Sequence, residues 1–281
     1  MPYTEGPGPK IYYQTDGKAG DAPVVLIEGM GAQLIGWRQG FVDRLVDRGC
    51  FVIRLDNRDV GLSDKLGGPD DHAKAYSIGD MARDVCRTLD SLGLESAHIV
   101  GQSLGGAVAQ TLADEHRRRV RSMVLFYTLP VFAPEFLTEE LLQAVAVAQP
   151  AVSANRDEAI EARLQGERMC ASTAYCWDEA WMRELAGQSH DRDPRTDGAA
   201  RQRSAALQWA GASDRLWESA IPTAIIHGRA DRLIKYEASI ALARLIENAE
   251  IHLYSGMGHQ IVQELWDDFI EIIVRTVGRA H

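Results

Sequence analysis

The chain has 281 residues, 46% hydrophobic, 25% charged and 7% aromatic, with 30 Lys and Arg against 40 Asp and Glu for a formal net charge of −10. A chain of this size and composition buries a sizeable core, which excludes a disordered chain, a disulfide miniprotein and a coiled coil. The acidic balance works against a nucleic-acid partner or an anionic membrane surface, and the run Arg117, Arg118 and Arg119 reads as a solvated helix end.

The first residues lack a basic segment followed by an apolar one, and no stretch reaches the roughly 18 apolar residues of a membrane span, so a cytoplasmic location is expected. Cys50, Cys86, Cys170 and Cys176 share neither a C-x-x-C pair nor zinc-type histidine spacing and read as buried free thiols.

Short apolar runs bounded by turn residues fall at 24–27, 51–55, 97–100, 123–127, 223–226 and 251–254. Their continuous hydrophobicity is that of strands buried on both faces. Between them, Met81, Val85, Leu89 and Leu92 form one helical stripe, and Ile261, Leu265, Phe269, Ile273 and Val277 form another in an expected C-terminal helix. This alternation predicts an α/β fold, a mostly parallel sheet with helices on both faces. It breaks once: over 131–217 no strand run occurs, while Leu141, Val145 and Ala148, and then Trp177, Trp181 and Leu185, follow helical spacing. We expect a helical cap at 131–217 inserted between two strands of a core made by 1–130 and 218–281, with 189–198 as its polar loop.

Two segments follow the first strands: Glu28-Gly29-Met30-Gly31 with Gly36-Trp37, and Asp56-Asn57-Arg58-Asp59-Val60-Gly61-Leu62-Ser63. The first is no dinucleotide fingerprint, because the third glycine is replaced by Leu34, and no phosphate-binding G-x-x-x-x-G-K-[ST] occurs. The strand at 97–100 then runs through Gly101-Gln102-Ser103-Leu104-Gly105 into a helix. A glycine two residues either side of a serine permits a turn so tight that the serine is strained and raised at the sheet edge. The same turn aims the Leu104 N–H and a helix N-terminus at any oxyanion forming there.

A serine hydroxyl needs a base, and the base an orienting acid. Downstream, Ile226-His227-Gly228-Arg229-Ala230-Asp231 carries a carboxylate on the loop after a strand, and Gly256-Met257-Gly258-His259 a histidine before the last helix. The other histidines lie in strands, helix ends, polar loops or the terminus, and His227 is placed to shape the acid loop.

These motifs, in the order serine, acid, histidine, resemble those of the α/β-hydrolase superfamily. The resemblance implies Ser103 as nucleophile, Asp231 as acid and His259 as base. Some relatives take the acid from an earlier strand end, but here 126–130 holds no carboxylate. The resemblance also implies Met30 as the second oxyanion donor, from a loop that begins His-Gly in many relatives and Glu28-Gly29 here. Glu28 then needs neutralising, and Arg58 is the expected partner. The nucleophile being serine disfavours the dehalogenase and epoxide hydrolase branches. The segments around 28–37 and 54–63 look like the group that includes aclacinomycin methylesterase.

The expected reaction is therefore hydrolysis of a carboxylic ester without metal or organic cofactor, acting on a small-molecule ester. Trp177, Trp181, Trp209, Trp217 and Phe132 are candidates for a pocket lining suited to a bulky, largely apolar acyl group. A perhydrolase or haloperoxidase, a C–C hydrolase, and a lyase or cyclase could use the same triad; a non-catalytic ligand receptor is the reading from another class. A homo-oligomer is open.

Overall fold

All six expected strands are present in the computed structural model, which describes residues 2–68, 71, 76–147, 155–195 and 197–280. A short antiparallel strand, β1 (Tyr13–Asp16), precedes them, and β2 (Ala22–Ile27), β3 (Cys50–Leu55), β4 (Ala97–Gln102), β5 (Val120–Phe126), β6 (Thr223–Gly228) and β7 (Glu250–Tyr254) run parallel. The sheet order is β1-β3-β2-β4-β5-β6-β7.

Strand residues divide between the two faces with period two, as the pleat requires. Val25, Ile53, Ile99, Met123 and Ile225 meet α2 (Ile78–Ser91) and α3 (Leu104–Glu115). Val24, Val52, Val100, Val124 and Ile226 meet α1 (Gln39–Asp47) and α10 (Trp266–Gly278). Met81, Val85 and Leu89 carry the predicted stripe of α2, which starts at a capping box in which Ser77 and Asp80 satisfy each other's backbone N–H. The C-terminal helix begins at Trp266 rather than near Ile261, because the backbone at Val262 is still extended as it leaves the histidine loop.

Between β5 and β6 the chain is helical: α4 (Glu139–Val147), α5 (Arg156–Glu167), α6 (Glu179–Arg192), α7 (Gly198–Leu207) and α8 (Asp214–Trp217). Ala148 lies outside the described residues. The stretch 189–198 is not wholly a loop, since α6 continues to Arg192. Arg192 pairs there with Asp56 at 2.7 Å. The last strand-helix unit is α9 (Glu237–Leu245) with β7. Among the described residues no helix is long and apolar enough to cross a membrane. Of the four thiols, Cys50 is buried, Cys86 and Cys170 are half-buried, and Cys176 is exposed, contrary to expectation.

Candidate active site

The C-terminal ends of β2, β4, β5, β6 and β7 deliver Glu28, Ser103, Tyr127, Asp231 and His259 to one edge of the sheet, where open α/β sheets bind ligands. Ser103 sits between β4 and α3 with φ 52° and ψ −117°, a left-handed backbone that a non-glycine residue holds only under strain. Two close approaches enforce it. A Cβ on Gly101 would lie 2.3 Å from the Gly105 carbonyl, and one on Gly105 would lie 2.3 Å from the Ile27 carbonyl. The Ser103 N–H donates to Phe126 O, and Thr128 Oγ1 donates to Ser103 O. Its hydroxyl does not cap α3.

His259 Nδ1 lies 2.7 Å from Asp231 Oδ2. A carboxylate only accepts, so the imidazole proton sits on Nδ1 and Nε2 is left as a base. Asp231 Oδ1 accepts the N–H groups of Leu233 and Ile234 at 2.8 and 2.9 Å. Burial alone raises the Asp231 carboxyl, but the charge of His259 and hydrogen bonds from His227 and His259 outweigh it and hold it well below the usual range. His227 is the neighbour expected to shape this loop: its Nε2 lies 3.2 Å from Asp231 Oδ2 and 3.0 Å from Ile234 O, while Nδ1 meets Ser239 Oγ at 2.6 Å.

The helical segment holds both ends of the site. His259 N–H donates to Cys170 O, and Gly258 N–H donates to Ser172 Oγ. Thr173 and Ala174 N–H groups donate to Gly256 O. On the opposite side, Gln202 of α7 accepts the Gly31 N–H at 2.7 Å and donates to Arg58 O. Its neighbour Arg201, fully buried, grips Asp59 through two bonds of 2.9 Å. Nothing in the helical spacing of 131–217 announced these clamps; the signal lay in the polar run Arg201-Gln202-Arg203 amid the alanines of α7.

Gly29 packs against Ser103, a Cβ there falling 3.4 Å from that of the serine. The Met30 N–H follows in the same turn, and the Leu104 N–H heads α3, where it has no intrahelical acceptor. Met30 and Ser103 line the same cavity, and Leu104 follows the serine directly in the chain. Contrary to expectation, Glu28 is not paired with Arg58. Arg58 is engaged by Asp84 at 2.6 Å and by Asp80 O, on α2. Glu28 Oε2 instead accepts the Gly29 N–H and the Gln102 amide.

Ser103, His259, Met30 and Tyr127 line a cavity of about 910 Å³. Trp177 and Trp181 line it too, together with Trp37 from the turn before α1 and Trp266 at the start of α10, which the spacing of the helical segment could not reveal. Trp209, Trp217 and Phe132 do not. They pack on the hydrophobic layer below α3, and Trp209 Nε1 donates to Thr111 Oγ1. Arg38 Cζ sits 3.7 Å from the Trp181 ring, and its Nη1 and Nη2 donate to Gln263 and Asp178, joining α1, α6 and the approach to α10 at the cavity wall.

A family model described as alpha/beta hydrolase fold matches residues 22–264. Rhodomycin D methylesterase of Streptomyces peucetius is 37% identical over 109 residues, which are 39% of this chain and 36% of that protein, so the match spans about a third of the methylesterase. A 2-hydroxy-6-oxononadienedioate/2-hydroxy-6-oxononatrienedioate hydrolase of Paraburkholderia xenovorans is 28% identical over 96% of this chain and 91% of its own. Among solved structures, a meta-cleavage product hydrolase from Pseudomonas fluorescens IP01 superposes with a TM-score of 0.76 at 26% identity, covering 99% of this chain and 98% of that one.

Proposed function

The chain belongs to the alpha/beta hydrolase fold family, and on that premise we propose that it is a serine hydrolase that cleaves a carboxylic ester of a bulky, largely apolar substrate. The observation that carries this reading is the convergence of a strained Ser103 with an Asp231-oriented His259 on one cavity whose wall mixes tryptophans with charged side chains.

His259 Nε2 takes the Ser103 hydroxyl proton as Oγ attacks the ester carbonyl. Negative charge on the carbonyl oxygen is met by the N–H groups of Met30 and Leu104, a contribution of about 10²–10³ in rate for each donor. The C–O bond breaks, and the imidazolium gives its proton to the leaving alcohol. Water then attacks the acyl-enzyme with the same base, releasing the acid and restoring Ser103. Residues 131–217 act in this reading as a cap whose Trp177 and Trp181 exclude water and wall the acyl pocket.

A second reading has its own support. The resemblance to C–C hydrolases spans nearly the whole chain, whereas the resemblance to a methylesterase stays within 109 residues. A ketone whose C–C bond is cleaved after attack at the carbonyl would use the same residues, with carbon in place of the alkoxide oxygen as leaving atom. Labelling by a fluorophosphonate tests the shared step: Ser103 is modified, and Ser103→Ala abolishes both labelling and turnover. A folded wild-type protein inert to the probe overturns both readings. Turnover of p-nitrophenyl esters against vinylogous 1,5-diketones then separates them.

A further inference from the structure

Glu28 is a carboxyl group 2% exposed at the start of the turn that carries the Met30 N–H. A buried carboxylate is tolerated when a cation or several donors reach it. Here both donors, the Gly29 N–H at 3.2 Å and Gln102 Nε2 at 2.5 Å, fall on Oε2. Oε1 has no partner among the described residues and lies against Gly36, where a Cβ would come within 2.6 Å of it. Arg58 is engaged by Asp84. Arg163 of α5 is the cation facing Glu28, but it pairs with Glu167 at 2.6 Å and donates to Gly31 O. The remaining titratable neighbours are anionic or neutral: Glu167 on the same helix and Tyr127 after β5, with Cys170 and Asp231 beyond the tyrosine.

Gln102 links this carboxyl to the rest of the site. Its Nε2 donates to Glu28 while its Oε1 accepts the Tyr127 hydroxyl in a short hydrogen bond. The Tyr127 ring lies 4.4 Å, centroid to centroid, from that of His259. One carboxyl group thus ties the oxyanion turn to the residue before Ser103 and, through it, to the wall beside His259.

We propose that Glu28 is a positioning residue that works as an uncharged acid, with its proton on Oε1, and that its ionisation switches the acyl-transfer site off. The switch rests on the serine-hydrolase reading, the neutral acid on the hydrogen-bond pattern alone. An anion at Glu28 would stand beside Gly29, itself packed on Ser103, and oppose the negative charge that must develop on the carbonyl oxygen. Burial, reinforced by the charge of Glu167, pushes the carboxyl up to about 8 against the hydrogen bonds and Arg163, so ionisation falls just above neutrality.

A carboxyl held protonated in the fold and ionised in the unfolded chain lowers stability progressively from about pH 4.5 to about pH 8, after which the penalty is constant. The experiment compares wild type with Glu28→Gln, the amide standing for the neutral acid. The melting temperature of the variant should gain several degrees on wild type between about pH 5 and about pH 8 and no more beyond. For kcat on a p-nitrophenyl ester, wild type should fall about tenfold per pH unit above about pH 8, and Glu28→Gln should lose that alkaline limb. Glu28→Ala, which removes the tie, should lower kcat at every pH. A melting-temperature gap independent of pH, or an alkaline limb unchanged in Glu28→Gln, overturns the inference. A widening gap with no turnover and no fluorophosphonate labelling overturns the hydrolase reading and the switch with it, and supports the neutral acid alone.

Discussion

Gln202 Oε1 accepts the Gly31 N–H at 2.7 Å, joining residues 171 positions apart, and Gln202 Nε2 donates to Arg58 O at 2.9 Å. One fully buried side chain on a helix outside the sheet therefore fixes the turn holding the Met30 N–H. Gln202→Ala leaves the buried Arg58 carbonyl unpaired, at about 1–3 kcal/mol, and frees the half-buried Gly31 N–H. We expect kcat to fall ten- to a hundredfold with KM within about threefold, because a loosened donor is missed in the transition state more than in the ground state. Steady-state kinetics decide; a loss confined to KM would place Gln202 in substrate binding instead.

Arg201 and Asp59 are each 0% exposed at the side chain and meet through two bonds of 2.9 Å, with Gly198 so close that a Cβ there would lie 2.0 Å from Asp59 O. Breaking such a pair from one side strands a buried charge. Arg201→Met should destabilise the protein by about 3–5 kcal/mol, and Arg201→Met with Asp59→Asn should recover part of it. Chemical denaturation of the two variants and wild type measures this; equal losses in the single and double variants would show that packing, not charge, is what Arg201 contributes.

The elbow around Ser103 was legible in the sequence because its requirement is local: Gly101 and Gly105 have no room for a side chain, whatever the rest of the chain does. The strands were legible because continuous apolar runs have few other uses. β1 was not, being four residues, YQTD, with little apolar surface and a place at the sheet edge. The partner of Glu28 was misassigned because only the fold shows that Asp84 reaches Arg58 first. Helical spacing could not sort the tryptophans, since Trp181 stands in α6 and Trp209 just beyond α7, and only the packing decides which faces the cavity. The contacts of Cys170 O and Ser172 with the histidine loop were invisible for the same reason.

Asp231 holds the imidazole with its proton on Nδ1. Asp231→Asn can present an N–H to that atom and so favour the wrong tautomer, and kcat should drop by about 10⁴ with KM little changed. The same carboxylate, held low in the fold, contributes stability above the unfolded carboxyl range that is lost as pH falls. The stability gap between wild type and the variant should therefore be full at neutral pH and narrow below about pH 4. Denaturation across that window checks the sign; a gap that widens in acid would mean that the carboxylate is not held by the two histidines.

Trp181 and Trp209 give the sharpest test of the cavity. Trp181 lines it and stacks on Arg38, whose other bonds reach Asp178 and Gln263, so its ring closes the wall between α1 and α6. Trp209 packs away from the cavity and donates to Thr111. Trp181→Ala should raise KM for a long or aromatic acyl ester several-fold while acetyl esters are little affected, because removing a wall costs only substrates that reach it. Trp209→Ala should instead cost stability through lost packing, less than the about 3–5 kcal/mol of a fully buried tryptophan, and leave the ratio of long-chain to acetyl kcat/KM unchanged. The measurement is that ratio in both variants beside their unfolding free energies. A change in selectivity on removing Trp209, or none on removing Trp181, would reverse the assignment of the acyl wall.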